Sequence, residues 1–321
     1  MMAADPPRIR SHEHVALVLG AGGARGLAQI GVIEALLARG LKIVSVAGSS
    51  AGALVGGLYA AGQLEIYRDW LLGLNRAQML RLLDPALGRP ALFEGDRLIA
   101  TLRELTGSPR IEDLPIDYTA VAVDLVRQRE VWLREGDLWD AVRASIAIPG
   151  VFTPHRLHGR ELVDGGLLAP LPIAASRLSD AQRLIAVDMH SWPERPPGAP
   201  ARQEGEELHE SPTDVPSGGA WRRRFDRWLH RNAGAAADRH DGGDAAALID
   251  VPGRMGFGEL MARSLDTMQA QIARVQLALD PPELVIRIPR DACQFYEFWR
   301  AAELIELGRS EAGKALDAAG Y

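Results

Sequence analysis

Two apolar runs near the start of the chain each break into a glycine-rich turn and then into a helical pattern, and this repeated transition limits the fold more than any other feature. Val15–Leu19 leads into Gly20-Ala21-Gly22-Gly23-Ala24-Arg25-Gly26, after which Leu27, Ile30, Ile33 and Leu37 recur at helical spacing. Ile43–Ala47 leads into Gly48-Ser49-Ser50-Ala51-Gly52 and a second helical stretch to Ala61. Strand, tight turn and helix in succession return the chain to the start of the next strand, so the strands run parallel. Tyr118–Val123, Glu130–Leu133, Leu184–Val187 and Leu284–Ile288 are further strand candidates. The pattern predicts an α/β fold with a mainly parallel central sheet, helices on both faces and a helical C-terminal part. Residues 14–190 form the core of this prediction, and residues 254–321 complete the domain.

Several classes of protein are disfavoured at once. Residues 43–64 carry no charge over 22 positions, long enough for a membrane span. Their five glycines and three serines, grouped around 48–52, fit a buried strand, a turn and a buried helix better. The opening residues lack the apolar core of a secretion signal, since Val15–Leu19 meets glycine at once. A single cysteine, Cys293, allows neither a disulfide within the chain nor a cysteine-built zinc site. A formal net charge of −6 argues against a nucleic-acid binder. A cytoplasmic protein without metal or cofactor is expected.

Residues 192–252 interrupt the alternation with Pro, Gly, Ala and charged residues and read as a flexible insertion. Within it, Trp221, Phe225, Trp228 and Leu229 share one helical face, with arginines over most of the rest. Such a segment suits peripheral contact with an anionic lipid surface, or equally a short lid packed on the body.

The chemistry concentrates in the two turns. Glycines at 20, 22, 23 and 26 permit backbone conformations that expose consecutive N–H groups at a helix start. The anion held there is either a phosphate or the oxyanion of an acyl-transfer intermediate. A dinucleotide site fits poorly, because the sixth position of the Gly-x-Gly-x-x-Gly pattern is Arg25 and no acidic residue follows the second strand. Gly48-x-Ser50-x-Gly52 matches the sharp strand-to-helix turn that raises a serine hydroxyl above a sheet. Both turns lie at the carboxyl ends of parallel strands, where a nucleophile and oxyanion-binding amides can meet one carbonyl.

A serine nucleophile needs a base. The histidines are His12, His14, His155, His158, His190, His209, His230 and His240, and none follows in the helical C-terminal part. His190 is a candidate at a strand end. Asp164, in Val163-Asp164-Gly165-Gly166, is the better one, since two glycines let a tight turn bring the carboxylate against another loop. An ordinary Asp-Gly turn is the alternative reading.

Four blocks taken in order, Gly20–Gly26, Gly48–Gly52, Ala144-Ser145-Ile146-Ala147-Ile148-Pro149 and Asp164-Gly165-Gly166, resemble the patatin-like phospholipases over about residues 14–190. The C-terminal stretch from Asp291 to Glu306 is similar to bacterial members related to the neuropathy-target-esterase catalytic domain. The resemblance implies a three-layer fold and a Ser50–Asp164 dyad without histidine. It implies an oxyanion hole from the amides around Gly22, Gly23 and Ala24, with Arg25 holding the loop and favouring negative charge. Ala21 departs from the glycine of plant members. The implied substrates are lipid acyl esters, and calcium is not expected. A non-catalytic scaffold on the same fold, or a nucleotide-binding enzyme, are the rival readings.

Overall fold

β1 (His14–Leu19) sits inside the sheet because its apolar residues are buried on both faces. Val15, Leu17 and Leu19 join the larger core, while Ala16 and Val18 join a second cluster on the opposite face. The computed structural model describes residues 13–86, 88, 91–194, 202–203, 205 and 257–321. Contacts divide the chain into two units, Met1–Glu204 with Gln269–Tyr321, and Gly205–Met268.

The elements follow in the order β1, α1 (Ala28–Ala38), β2 (Lys42–Ser49), α2 (Ala51–Ala60), α3 (Leu64–Leu72) and α4 (Arg76–Arg81). Next come β3 (Ala91–Phe93), α5 (Asp96–Thr106), β4 (Asp117–Asp124), β5 (Arg129–Leu133) and α6 (Leu138–Ser145). β6 (Gly150–Phe152), β7 (His155–Leu157), β8 (Arg160–Asp164), α7 (Ile173–Ser176) and β9 (Arg183–Ser191) lead to α8 (Phe257–Leu279), β10 (Leu284–Pro289) and α9 (Ala301–Ala318). The uncharged run at 43–64 is thus strand, turn and helix, and no described helix is long and apolar enough to cross a membrane.

The main sheet has the order β10-β9-β1-β2-β4-β8-β7, with β5 also paired to β4. β10, β9, β1, β2 and β4 pair in parallel. β5, β8 and β7 form an antiparallel arm, which the expectation of a mainly parallel sheet did not separate out. α1, α2 and α9 supply Ile30, Val55 and Leu304 to the larger core. On the other face, Ile173 of α7 and Ala273 of α8 pack against β1 and β9. Helices therefore cover both faces of the parallel part.

α1 and α9 touch backbone to backbone. A methyl group on Gly31 would overlap the Ile305 carbonyl, and one on Gly308 would overlap that of Ala28. The C-terminal helix begins only at Ala301. Residues 290–297 form a strap, followed by a short 3-10 turn at Phe298–Arg300. Arg300, buried, holds that turn through Glu297 at 3.0 Å and Glu303 at 2.8 Å. The long insertion expected at 192–252 and its residues Trp221, Phe225 and Trp228 lie outside the described residues, apart from 192–194, 202–203 and 205.

Candidate active site

Ser50 stands between the end of β2 and the start of α2 with φ 55° and ψ −124°. A non-glycine residue at positive φ costs on the order of 1–3 kcal/mol and persists only where its surroundings fix it. Here they do. The glycines on either side allow the tight passage, since a methyl on Gly48 would strike the Gly52 carbonyl and one on Gly52 the Leu19 carbonyl. The Ser50 N–H donates to Ser145 Oγ at 2.9 Å, and that hydroxyl donates to the Val121 carbonyl at 2.6 Å. The strained turn is thereby tied to β4 through α6. Ser50 also occupies the N-terminus of α2, where the helix dipole favours negative charge.

Asp164 reaches Ser50 because of how β2 and β8 share β4. Ser49 pairs with Val121, and the next residue of β4, Ala122, pairs with Asp164. β5 takes the other edge at both positions, through Trp132 and Val131. β2 and β8 therefore lie on the same edge of β4 and meet end to end, carboxyl terminus against carboxyl terminus. The Ser50 hydroxyl donates to Asp164 Oδ2 at 2.5 Å. Asp164 Oδ1 accepts the Gly166 N–H at 2.7 Å, and the Asp164 N–H donates to the Ala147 carbonyl at 2.9 Å. Gly165 passes so close over the Val121 carbonyl that any side chain there would collide.

Asp164 is 2% exposed and Ser50 4%. Burial raises the Asp164 carboxyl to about 7, against the downward pull of its hydrogen bonds from Ser50 and Gly166. Such a group is a far better proton acceptor than an exposed aspartate, yet it still ionises near neutral pH.

The glycine-rich turn lies against both. Gly26 meets Ala51, next to the serine, and Gly166 meets Ala21. Gln29, fully buried, donates to the Gly20 carbonyl at 2.7 Å, and the Ala21 N–H donates to the Pro170 carbonyl at 2.8 Å. Arg25 is also buried. Its Nε donates to the Gly22 carbonyl at 3.3 Å and its Nη1 to the Arg290 carbonyl at 2.8 Å. In a trans peptide the N–H points opposite to the C=O, so gripping the Gly22 carbonyl turns the Gly23 N–H away from Arg25.

One amide expected at the oxyanion hole already has an acceptor. The Ala24 N–H donates to the Phe295 carbonyl at 2.8 Å. The strap after β10 therefore engages this amide, while among the described residues no acceptor faces the N–H of Gly22 or of Gly23. Arg25 likewise clamps carbonyls of the loop and the strap.

His190, the alternative base, pairs through Nε2 with Gln269 Oε1 at 3.2 Å and is buried, whereas the Ser50 hydroxyl is taken by Asp164. His158 sits at the tip of the β7–β8 hairpin. Two residues of the site carry no plain signal of their role in the sequence. Ser145 lay inside a recognised block but carried no assigned role, and nothing in the sequence signals that it touches Ser50. Gln29 falls among the apolar positions of α1, and a lone amide on a buried helix was the available sign.

The family model for patatin-like phospholipases matches residues 17–176. An uncharacterised NTE family protein of Mycobacterium tuberculosis is 40% identical over 337 aligned positions, covering 96% of this chain and 92% of that protein. Lysophospholipase NTE1 of Debaryomyces hansenii is 34% identical over 194 positions, 59% of this chain and 13% of that protein. Patatin-like phospholipase domain-containing protein 7 of Mus musculus is 32% identical over 191 positions, 57% of this chain and 14% of that protein. The chain belongs to the patatin-like phospholipase family and, within it, stands beside NTE family proteins.

Proposed function

We propose that the chain is a serine lipid acyl hydrolase, a phospholipase, lysophospholipase or related carboxylesterase, working through a Ser50–Asp164 dyad. The observation that carries this reading is the buried 2.5 Å hydrogen bond from the Ser50 hydroxyl to a carboxylate raised to about 7. The family and the lysophospholipase name of one relative support lipid esters as the substrate class.

In the acylation step Ser50 Oγ attacks the ester carbonyl carbon while its proton passes to Asp164 Oδ2. The carbonyl oxygen becomes an oxyanion facing the Gly22 and Gly23 amides and the N-terminus of α2. Each preorganised donor of this kind is worth about 2.7–4 kcal/mol in the transition state. The carbon–oxygen bond to the alcohol breaks, and Asp164 returns the proton to the leaving alkoxide. Water then gives a proton to Asp164, attacks the acyl-serine, and releases the fatty acid with Ser50 reprotonated. A single carboxyl thus acts as base and then acid in each half, which is why a value near 7 suits it.

The test is hydrolysis of phospholipid, lysophospholipid, acylglycerol and p-nitrophenyl esters by the wild type and by Ser50→Ala. Release of fatty acid from at least one lipid class by the wild type, lost in the variant, is the expected result. Equal hydrolysis by Ser50→Ala removes the serine from the mechanism.

A further inference from the structure

The antiparallel arm does more than deliver Asp164, because its two turns extend past the site. β4 continues beyond Ala122, the partner of Asp164, to Asp124, and turns through Leu125–Gln128 into β5. β8 comes from the same direction. Leu162 pairs with Asp124, so Glu161, Arg160 and the His158–Gly159 turn lie further out still. At about 3.3 Å per residue, the first tip stands roughly 13 Å beyond Asp164 and the second about 17 Å. Both project from the carboxyl rim of the sheet, the rim that holds Ser50.

Their composition is unusual for turns, which favour Gly, Asn, Asp and Pro. Leu125 is 51% exposed and Val126 82%, side by side at the first tip. A turn of this length has no packing reason to present two branched apolar residues to water. The two hairpins together carry Arg127, Arg129, Arg156 and Arg160 against Asp124, Glu130 and Glu161, in a chain whose net charge is −6. The Asp124 carboxylate is buried, and it fixes the turn by accepting the Arg127 N–H at 3.0 Å and Nη1 at 2.9 Å. Arg156 pairs with Glu161 at 2.9 Å, with its side chain 82% exposed. Exposed aliphatic groups on hairpins with an excess of arginine are the chemistry of contact with an anionic lipid–water interface: the apolar pair enters among the acyl chains, and the guanidinium groups meet headgroup phosphates.

We infer that the paired tips of the β4–β5 and β7–β8 hairpins dock the catalytic rim onto an anionic lipid surface, with Leu125 and Val126 as the inserting residues. The inference rests on the lipid-ester reading of Ser50 and Asp164, and extends it by naming the physical state in which the substrate is met. A lipid ester leaving such a surface would arrive at the edge of the sheet on which the dyad lies.

The experiment is co-sedimentation of the full chain with phosphatidylcholine vesicles and with vesicles of phosphatidylcholine and phosphatidylglycerol, in parallel with hydrolysis of a water-soluble p-nitrophenyl ester. Wild type, Leu125→Ser/Val126→Ser and Arg129→Gln/Arg156→Gln are compared, with thermal melting to check that each is folded. Expected are binding to the anionic vesicles that weakens with salt, and a loss of partitioning of about 10- to 100-fold in the apolar double variant, from the burial lost by two aliphatic side chains. The arginine variant should weaken binding only to the anionic vesicles. Turnover of the soluble ester should be unchanged in both. A folded apolar variant that binds as well as wild type, or a wild type that ignores anionic vesicles, overturns the docking surface. Vesicle binding that depends on the tips, without ester hydrolysis by the wild type, instead sinks the hydrolase reading and leaves the surface standing.

Discussion

The two halves of the main sheet contribute to the site by different means. In the parallel half, β1 and β2 each end in a turn that forms part of the site where it stands: one exposes amides, the other a hydroxyl. Neighbouring residues in the chain are neighbours in space, and the chemistry is local. The antiparallel arm contributes a single carboxylate, and does so by topology, since Asp164 reaches Ser50 only because β8 takes over the edge of β4 where β2 leaves it. In the proposed dyad the nucleophile is built by a turn, while its base depends on strand order. The difference also separates costs. The parallel half stores strain at Ser50, whereas the arm stores an ionisable group out of water.

The comparison breaks most completely at Ser50. Ser50→Ala should lower kcat on any ester by at least about 10⁴-fold with the fold retained, since the residues of a nucleophilic unit act together. Normal turnover would place the chemistry elsewhere.

Asp164→Asn tests the arm. A loss of about 10²–10⁴-fold is expected for removal of a general base. In the wild type, activity on a soluble ester should rise with pH through about 7, as Asp164 loses its proton. Stability should move the opposite way. Because the folded value lies above the ordinary 3.8, this group's stabilisation is complete below 3.8 and lost as pH rises through about 7. The Asn variant should therefore melt higher than wild type at mildly alkaline pH, and the gap should close in acid. A variant that melts lower at alkaline pH would mean that the carboxylate holds the arm together instead of straining it.

Gly165→Ala attacks the junction of the halves. The added methyl meets the Val121 carbonyl, and overpacking of this kind costs about 1–3 kcal/mol or more. Lowered melting together with lost activity is expected, and wild-type values in both would show that the junction yields freely. The smallest effect belongs to Ser145→Ala. It leaves the Ser50 amide without its acceptor, a loss of about 1–3 kcal/mol, shared between stability and a reduction of kcat of about 10-fold. Ser145→Thr keeps the hydroxyl and should restore part of kcat; equal losses in the two variants would make the effect one of packing.

Legibility divides along the same line. The strands Val15–Leu19 and Ile43–Ala47, with their turns, are plain in the sequence because apolar runs buried on both faces and short-range glycine spacing are local signals. β7 and β8 were not expected as strands. They are short, and Arg160-Glu161 and His155-Arg156 carry polar residues to an exposed rim, so neither alternation nor an apolar run marks them. Asp164 could be named from its Gly-Gly sequel and the scarcity of suitable histidines, but its register against Ala122 could not. The contact of the Ala24 amide with Phe295 is not legible in the sequence, because Phe295 lies in a stretch expected to be helical.

That contact has a consequence for the order in which the protein matures. Arg25 and the Arg290 carbonyl it grips are 265 positions apart in the chain. A ribosome presents the serine turn and the glycine turn well before the strap that seats the amide loop. Contacts of such sequence separation form late, after the local elements have condensed. The glycine-rich turn beside Ser50 is therefore seated only once a segment 265 positions downstream of Arg25 has folded against it.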